Sequence, residues 1–235
     1  MIQIPWLRAD DLTFPPTATA LTEPNGLLAV GGELSSARLL SAYRRGIFPW
    51  FEHGQPVLWW TPNPRTVIFP DELHIARSLR KVLRRGEFTL STDQAFEAVM
   101  RACAAPRDGA SGTWIGPAMI EAYCELHRLG YAHSVEVWRE DELVGGLYGL
   151  ALGRVFFGES MFSRADNTSK IAVAHLARQL AQWDFGVIDC QVASAHLFTL
   201  GAREIAREEF EQILVDYVDR PSPMGPWSLS ATRDW

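Results

Sequence analysis

The stretch GVIDCQVAS, residues 186–194, places a carboxylate and an amide inside an otherwise apolar run. Residues i and i+2 of a strand share a face, so Asp189 and Gln191 are expected side by side, with Cys190 turned the other way. A charge on the inner surface of a sheet is costly unless something pairs with it. A second acid, Glu159, stands in GRVFFGESMF, where the flanking apolar residues offer a carboxylate little. Taken singly, each of these acids also reads as a paired structural group. Segment 169–182 between them is amphipathic, and a right-handed helical crossover lays the strands before and after it in parallel in one sheet. As neighbours, Glu159, Asp189 and Gln191 converge on one pocket at the strand ends. Three polar groups at apolar strand positions point to a site.

The same helix supplies walls. Val173, Leu176 and Leu180 lie at i, i+3 and i+7, a stripe that faces the sheet and meets Leu147, Met161 and Ile188. The pattern reads equally as filled core or as an apolar pocket beside the polar cluster. Elsewhere, ELHIARSLRKVLRRG (72–86) reads as a helix over 73–85. It sets Arg77, Arg80, Lys81, Arg84 and Arg85 on one face, with Leu79 and Val82 among the apolar positions opposite. No acid lies between 77 and 85 to relieve those cations, so the face suits a polyphosphate partner, although a solvated helix face is the plainer alternative. Cys124 and His127 have metal-ligand spacing without a second pair, and a core cysteine is the simpler reading. No phosphate-binding G-x-x-x-x-G-K-[ST] and no nucleophilic G-x-S-x-G occurs. Trp50, Trp59, Trp60 and Trp114 sit in loop-like stretches where rings can stack on bases; for Trp59 and Trp60 buried packing is favoured.

The elements that must position these groups follow from composition and pattern. With 235 residues, 47% hydrophobic and 21% charged, the chain has an ordinary globular make-up with ample capacity for a core. No run approaches the roughly 20 apolar residues of a membrane span. The start, MIQIPWLRADDLTFPP, lacks the pattern of a signal peptide. Three scattered cysteines argue against a disulfide framework, so a reduced cytoplasmic protein is expected. A net charge of −6 gives no overall attraction for nucleic acid, which leaves the basic helix as a local patch. Residues 1–64 are rich in Pro and Gly; Ser35 or Ser36 caps a helix ARLLSAYRRG, and TPNP (61–64) is the boundary. From Arg65 the pattern is mixed: a strand TVIFP, helices at 93–103 and 117–129 separated by the loop 105–116, a hairpin turning at Asp141-Glu142, then the strand, crossover helix and strand already described. An irregular tail closes the chain. The fold class is α+β: a small N-terminal α/β domain, 1–64, and a mixed sheet flanked by helices, 65–235.

The blocks EPNGLLAVGGELS, RLLSAYRRGIFPW, LWWTPNPR, GTWIG, HSVEVWREDELVGG, FFGESMFSRADNTSK and VIDCQ, in this order and at natural spacing, resemble the bacterial leucyl/phenylalanyl-tRNA–protein transferases. The likeness runs from about Phe14 to Gly201. It implies that residues 65–235 resemble the GCN5-related acetyltransferase fold. The implied activity is transfer of leucine or phenylalanine, and less well methionine, from charged tRNA to the N-terminal Arg or Lys of a protein, marking it for degradation. The partners implied are Leu-tRNA, Phe-tRNA and such acceptors, with no membrane, no metal and no cofactor, the enzyme acting as a monomer. Carried over by position, Asp189 and Gln191 become the reaction-centre pair and Glu159 a further site acid. Trp50 and Trp114 match aromatics beside the terminal adenosine. Leu147, Phe156, Gly158, Met161, Val173, Leu176, Leu180 and Ile188 fall in the aminoacyl pocket, and the basic helix matches the tRNA-backbone surface. Leu176 and Leu180 are aliphatic where the family leads one to expect aromatics, so the Leu-against-Phe preference stays open.

The chemistry fits. An aminoacyl ester is already activated, and an α-amine with pKa about 7.7–8.0 is partly neutral at pH 7, so a strong base is dispensable. Gln191, a very weak base, reads as an acceptor that orients the amine, itself positioned by Asp189; a general-base role assisted by Asp189 is the family's alternative. Glu159 and Asp189 together would favour a cationic acceptor side chain, and Asp189→Ala is expected to cost far more in turnover than in stability. The rival enzyme is an acyl-CoA-dependent N-acyltransferase, weakened because SRADNTSK lacks the glycine-spaced loop that cradles a pyrophosphate. A non-enzymatic RNA-binding module gives no reason for the three buried polar groups.

Overall fold

The computed structural model describes residues 4–106, 113–223, 225–229 and 235. Its strands fall into two sheets. The first holds β1 (Trp6–Leu7), β2 (Leu27–Gly31), β3 (Phe48–Pro49) and β4 (Leu58–Trp60) in the order β1-β2-β4-β3. Helix α1 (Ser36–Tyr43) starts where the Ser35 side chain accepts the Arg38 N–H, one of the two caps expected. Trp59 is fully buried and donates its indole N–H to the Gly31 carbonyl at 2.8 Å, which locks β4 to the end of β2. Trp60 is only half-buried, against the expectation for it.

The second sheet begins at β5 (Arg65–Ile68). After a short 3-10 turn at 70–72 come α2 (Arg77–Arg85), β6 (Thr89–Thr92), α3 (Phe96–Ala104), α4 (Pro117–Arg128), β7 (Ala132–Arg139), β8 (Glu142–Leu152) and β9 (Val155–Ser163). Then follow α5 (Thr168–Gln182), β10 (Val187–Gln191), α6 (Ala195–Phe198), β11 (Arg203–Ile205) and α7 (Arg207–Tyr217). The strand order is β11-β5-β10-β9-β8-β7-β6. Among the described residues of this sheet only β9 and β10 pair in parallel, joined by the crossover helix α5 as the pattern requires. The fold is thus mixed α+β.

Alternating side chains divide between two cores. Val67, Phe157 and Val187 face α1, α4, α7 and the first sheet. Their neighbours Ile68, Phe156 and Ile188 face α2 and α5. The first core runs without a break from Trp59 of β4 to Phe210 of α7, so the first sheet packs directly on one face of the second.

Several boundaries differ from the sequence pattern. The basic helix starts at Arg77, four residues later than expected, because the His74 N–H is taken by the Leu200 carbonyl at 3.0 Å. Asp93 is not helical: it has φ 58° and accepts the N–H groups of Ser134 and Trp227. The residues before it form β6, an edge strand the pattern conceals. The hairpin turns at Glu140-Asp141, one residue early, with Arg139 opposite Glu142. Before the irregular tail, β11 and α7, which the sequence pattern does not mark, pack beside β5 and Arg65. Of the loop expected at 105–116, residues 107–112 lie outside the described residues, as do Met224 and 230–234 of the tail. Among the described residues no helix is long and apolar enough to cross a membrane.

Candidate active site

Two irregularities in adjacent strands build the site. In β9, Tyr148 of β8 pairs with Ser160 while Gly149 pairs with Gly158, so Glu159 is the unpaired residue of a β-bulge. Gly149 permits this approach: a Cβ there would lie 2.2 Å from the Phe157 carbonyl oxygen. The bulge resets the alternation. Glu159 turns toward the first core with Phe157, whereas Met161 returns to the α5 side with Phe156.

The second irregularity is in β10, where the register against β5 slips between Asp189 and Gln191 and leaves Cys190 as the extra residue. Gln191 takes the left-handed conformation at φ 66°, unusual for a residue with a side chain. Simple alternation therefore fails here. Cys190 and Gln191 both line a cavity, and Asp189 does not. Asp189 is fully buried and meets Arg65, whose Nε and Nη2 donate to its two oxygens at 2.8 and 2.6 Å. Its Oδ1 also accepts the backbone N–H of Gln191 at 2.9 Å. The expectation that Asp189 and Gln191 project together is corrected to a carboxylate holding the main chain of the amide residue.

Glu159 has three neutral partners. Tyr43 of α1 donates to Oε1 at 2.7 Å, Tyr123 of α4 to Oε2 at 3.1 Å, and Gln191 Nε2 to Oε1 at 2.8 Å. The two tyrosyl oxygens are also in direct hydrogen-bond contact. Burial pushes Glu159 up to about 7; the bonds from Tyr43 and Tyr123 pull it down, the Asp189 charge raises it again, and the Gln191 bond lowers it. Because its amide nitrogen is turned to Glu159, Gln191 has its carbonyl oxygen to offer elsewhere. Tyr43, Tyr123 and Arg65 are absent from the sequence reading. The signal for Arg65 was available, since a guanidinium at the head of the apolar strand TVIF needs a buried acid as much as Asp189 needs a cation. Nothing in the spacing of the tyrosines marks them.

The cavity beside this cluster measures about 300 Å³. Trp50, 43% exposed, and Trp114 stand among its lining residues with Phe48 and Pro49. Leu147, Phe156, Gly158, Met161, Val173, Leu176 and Ile188 are among the residues that line it. Leu180 does not: one turn further along α5 it is fully buried in the core with Phe185. Cys190 is held well above the ordinary thiol range, first by burial and then by the Asp189 charge, so it presents a neutral thiol and not a thiolate nucleophile. Of the earlier metal candidates, His127 stacks on Phe96 and its Nδ1 pairs with the Ala132 carbonyl. Arg77, Arg80, Lys81, Arg84 and Arg85 are all exposed on α2, with Leu79 and Leu83 buried beneath. The patch is not wholly free, because Arg84 Nε donates to the Trp235 carbonyl and Arg85 faces Glu87 at 3.5 Å.

The family model for leucyl/phenylalanyl-tRNA protein transferase matches residues 67–215, and the model for that family's N-terminal domain matches residues 32–63. The chain belongs to this family. A leucyl/phenylalanyl-tRNA–protein transferase of Cellvibrio japonicus (strain Ueda107) is 63% identical over 218 residues, covering 93% of each chain. One from Pseudomonas fluorescens (strain SBW25) is 62% identical, over 94% of this chain and 98% of the relative. One from Azotobacter vinelandii is 58% identical over 97% of each. Among solved structures, L-PGS from Bacillus licheniformis aligns over 72% of this chain and 54% of its own at 10% identity and TM-score 0.38. A GCN5-related N-acetyltransferase from Kribbella flavida aligns over 71% and 59% at 13% identity and TM-score 0.36. At that distance the fold rests on this chain's own sheets.

Proposed function

We propose that the chain moves leucine or phenylalanine from charged tRNA onto the amino group of a protein beginning with Arg or Lys. The observation that carries the site reading is Gln191, bound through Nε2 to Glu159 at the edge of an apolar cavity. The aminoacyl side chain enters among Leu147, Met161, Val173 and Leu176, with Trp50 and Trp114 beside the terminal adenosine. The neutral acceptor amine donates one N–H to Gln191 Oε1 and attacks the ester carbonyl. The new C–N bond forms, the ester C–O bond breaks, and the ribose oxygen leaves with the proton the nitrogen gives up. Holding ester and amine together supplies most of the rate. Asp189, neutralised by Arg65, adds no attraction for a cationic acceptor side chain, so Glu159 alone of the two acids keeps that role.

In this reading residues 1–64 form an N-terminal domain that brings Trp50 to the cavity and Tyr43 to the acid, and residues 65–235 form the catalytic domain. The cations of α2 meet the tRNA backbone.

Labelled Leu-tRNA, Phe-tRNA, Ile-tRNA and acetyl-CoA, each incubated with an Arg-initiated peptide, test the reading. Transfer is expected from the first two. Ile-tRNA should be poor, because branching at Cβ widens the side chain at the cavity entrance. Label arriving from acetyl-CoA would favour the acyl-CoA enzyme instead. For the basic helix, replacing Arg80 and Arg84 with Ala should raise KM for charged tRNA. It should also flatten the salt dependence by about 0.9 in slope for each phosphate the helix no longer neutralises. Transfer from an aminoacyl-adenosine should barely change. An equal loss with both donors would assign α2 to the fold and not to tRNA.

A further inference from the structure

Arg65 makes three hydrogen bonds close to the cavity, yet it is not among the residues that line it. It is fully buried. Its Nη1 donates to the Gly46 carbonyl at 3.0 Å, while Nε and Nη2 form the fork on Asp189. The guanidinium carbon lies 4.9 Å from the Phe48 ring centre and 4.7 Å from that of Phe210. The fork is thereby fixed from the first sheet on one side and from α7 on the other. Asp189 Oδ1, fixed by the fork, accepts the N–H of Gln191. That bond holds Gln191 in the left-handed conformation from which its amide reaches Glu159. Without an acceptor at Oδ1, a residue with a Cβ returns to ordinary strand geometry, and the amide swings away from the cavity. No hydrogen bond runs from Asp189 to the Gln191 amide itself: the amide nitrogen is on Glu159.

We infer that Arg65 is a positioning residue for the transfer reaction, fixing Asp189 as a clamp on the Gln191 backbone and not as a partner in proton transfer. This rests on the transferase reading of the cavity. The clamp needs an oxygen at position 189 and something to hold that oxygen; it does not need a charge.

The decisive variant is the pair Arg65→Gln with Asp189→Asn. It removes both charges together, keeps an amide oxygen to accept the Gln191 N–H, and leaves two amides able to bond each other. Its counterpart is Arg65→Leu with Asp189→Leu, an apolar replacement of the kind that buried ion pairs often tolerate without unfolding. With an aminoacyl-adenosine donor, the amide pair should keep kcat within about tenfold of the unmodified chain. The leucine pair should lose about a hundredfold or more in kcat with KM little changed, as expected for an interaction realised in the transition state. A folded amide pair as inactive as the leucine pair would show that the carboxylate itself does chemistry, and would overturn the inference. A leucine pair with undiminished kcat would overturn it equally. Should either pair fail to fold, Arg65→Lys decides: it keeps the charge, loses the fork, and should lower kcat by about tenfold with KM unchanged; unchanged kcat would end the role. An unmodified chain inert toward every charged tRNA would instead sink the transferase reading.

Discussion

Asp189 and Glu159 lie on adjacent parallel strands, are both buried, and turn to the same side of the sheet, yet they are satisfied in opposite ways. Asp189 faces a guanidinium that spans both its oxygens. Among the described residues Glu159 has no cationic partner; two phenols and an amide meet it. The first arrangement cancels a charge and freezes a geometry. The second leaves a charge to be gained or lost. Proton counting shows how: Tyr43, Tyr123 and one edge of Glu159 make three mutual O···O approaches, but the two phenols bring only two protons. The triangle is complete when Glu159 carries the third. Burial favours the same protonated form, which is why this acid is raised to about 7.

The largest effect should come from breaking the frozen member. Asp189→Ala strands the Arg65 guanidinium in a core and should cost about 3–5 kcal/mol of stability, measurable by urea denaturation, along with transfer activity. The expectation from sequence, a far larger cost in turnover than in stability, now has to allow for the ion pair, and the two costs measured side by side decide between them. A stability loss below about 1 kcal/mol, the range of exposed ion pairs, would mean that water reaches the guanidinium.

Glu159→Gln probes the adjustable member and should act more on rate than on fold. Gln at 159 can keep one acceptor for Tyr43 but turns its own N–H groups toward Tyr123 or Gln191, so the Gln191 amide is no longer held. Losing a hydrogen bond to an ionised acceptor, about 1.5–3 kcal/mol, corresponds to roughly 10–100-fold in kcat. The stability profile carries a second signature. An unfolded Glu titrates near 4.3, and the folded one near 7. Between these values the folded state holds the extra proton, so the contribution of Glu159 to stability is fully present below about pH 4 and declines as pH rises to 7. Glu159→Gln should remove that decline, of the order of a few kcal/mol at most, and its stability relative to the unmodified chain should improve with rising pH. Parallel pH profiles for the two would refute the adjustable state.

How these two acids could be read from sequence differs in the same way. The strand–helix–strand unit was legible because a period of two changes to a period of 3.6 between Val155 and Gln191 with no competing signal. That placed Glu159, Asp189 and Gln191 on neighbouring strands, where they are, although Glu159 falls in the middle of β9 and not at its end. It could not reveal the bulges at Glu159 and Cys190, since a bulge depends on the partner strand, here on the backbone room at Gly149. Alternation holds as far as Asp189, which shares the face of Val187, and fails at Gln191, which the bulge brings to the cavity together with Cys190. Leu180 was misplaced for a related reason: the helical stripe is continuous, but the cavity ends at Leu176. The partners of Glu159 come from α1 and α4, 116 and 36 residues away, and no local pattern encodes pairings at that separation.

The smallest effect should come from removing one phenolic oxygen, and it tests the proton count most directly. Tyr43→Phe keeps a ring edge-on to Phe157, with centroids 5.1 Å apart, so packing changes little. What disappears is the 2.7 Å donor to Oε1. At pH 5 Glu159 is protonated in the fold and the missing bond joins neutral groups, worth about 0.5–1.5 kcal/mol. At pH 8 the same bond serves a carboxylate and is worth about 1.5–3 kcal/mol. Tyr43→Phe should therefore destabilise the fold more at pH 8 than at pH 5, and should move the pH-dependent decline of the chain to higher pH, because a donor to the ionised form has gone. Tyr123→Phe removes the longer bond, 3.1 Å, and should show the same trend with a smaller amplitude. Urea denaturation of both variants at the two pH values measures each quantity. If the tyrosine losses are equal at pH 5 and pH 8, Glu159 does not change its proton between them, and it is as fixed as Asp189.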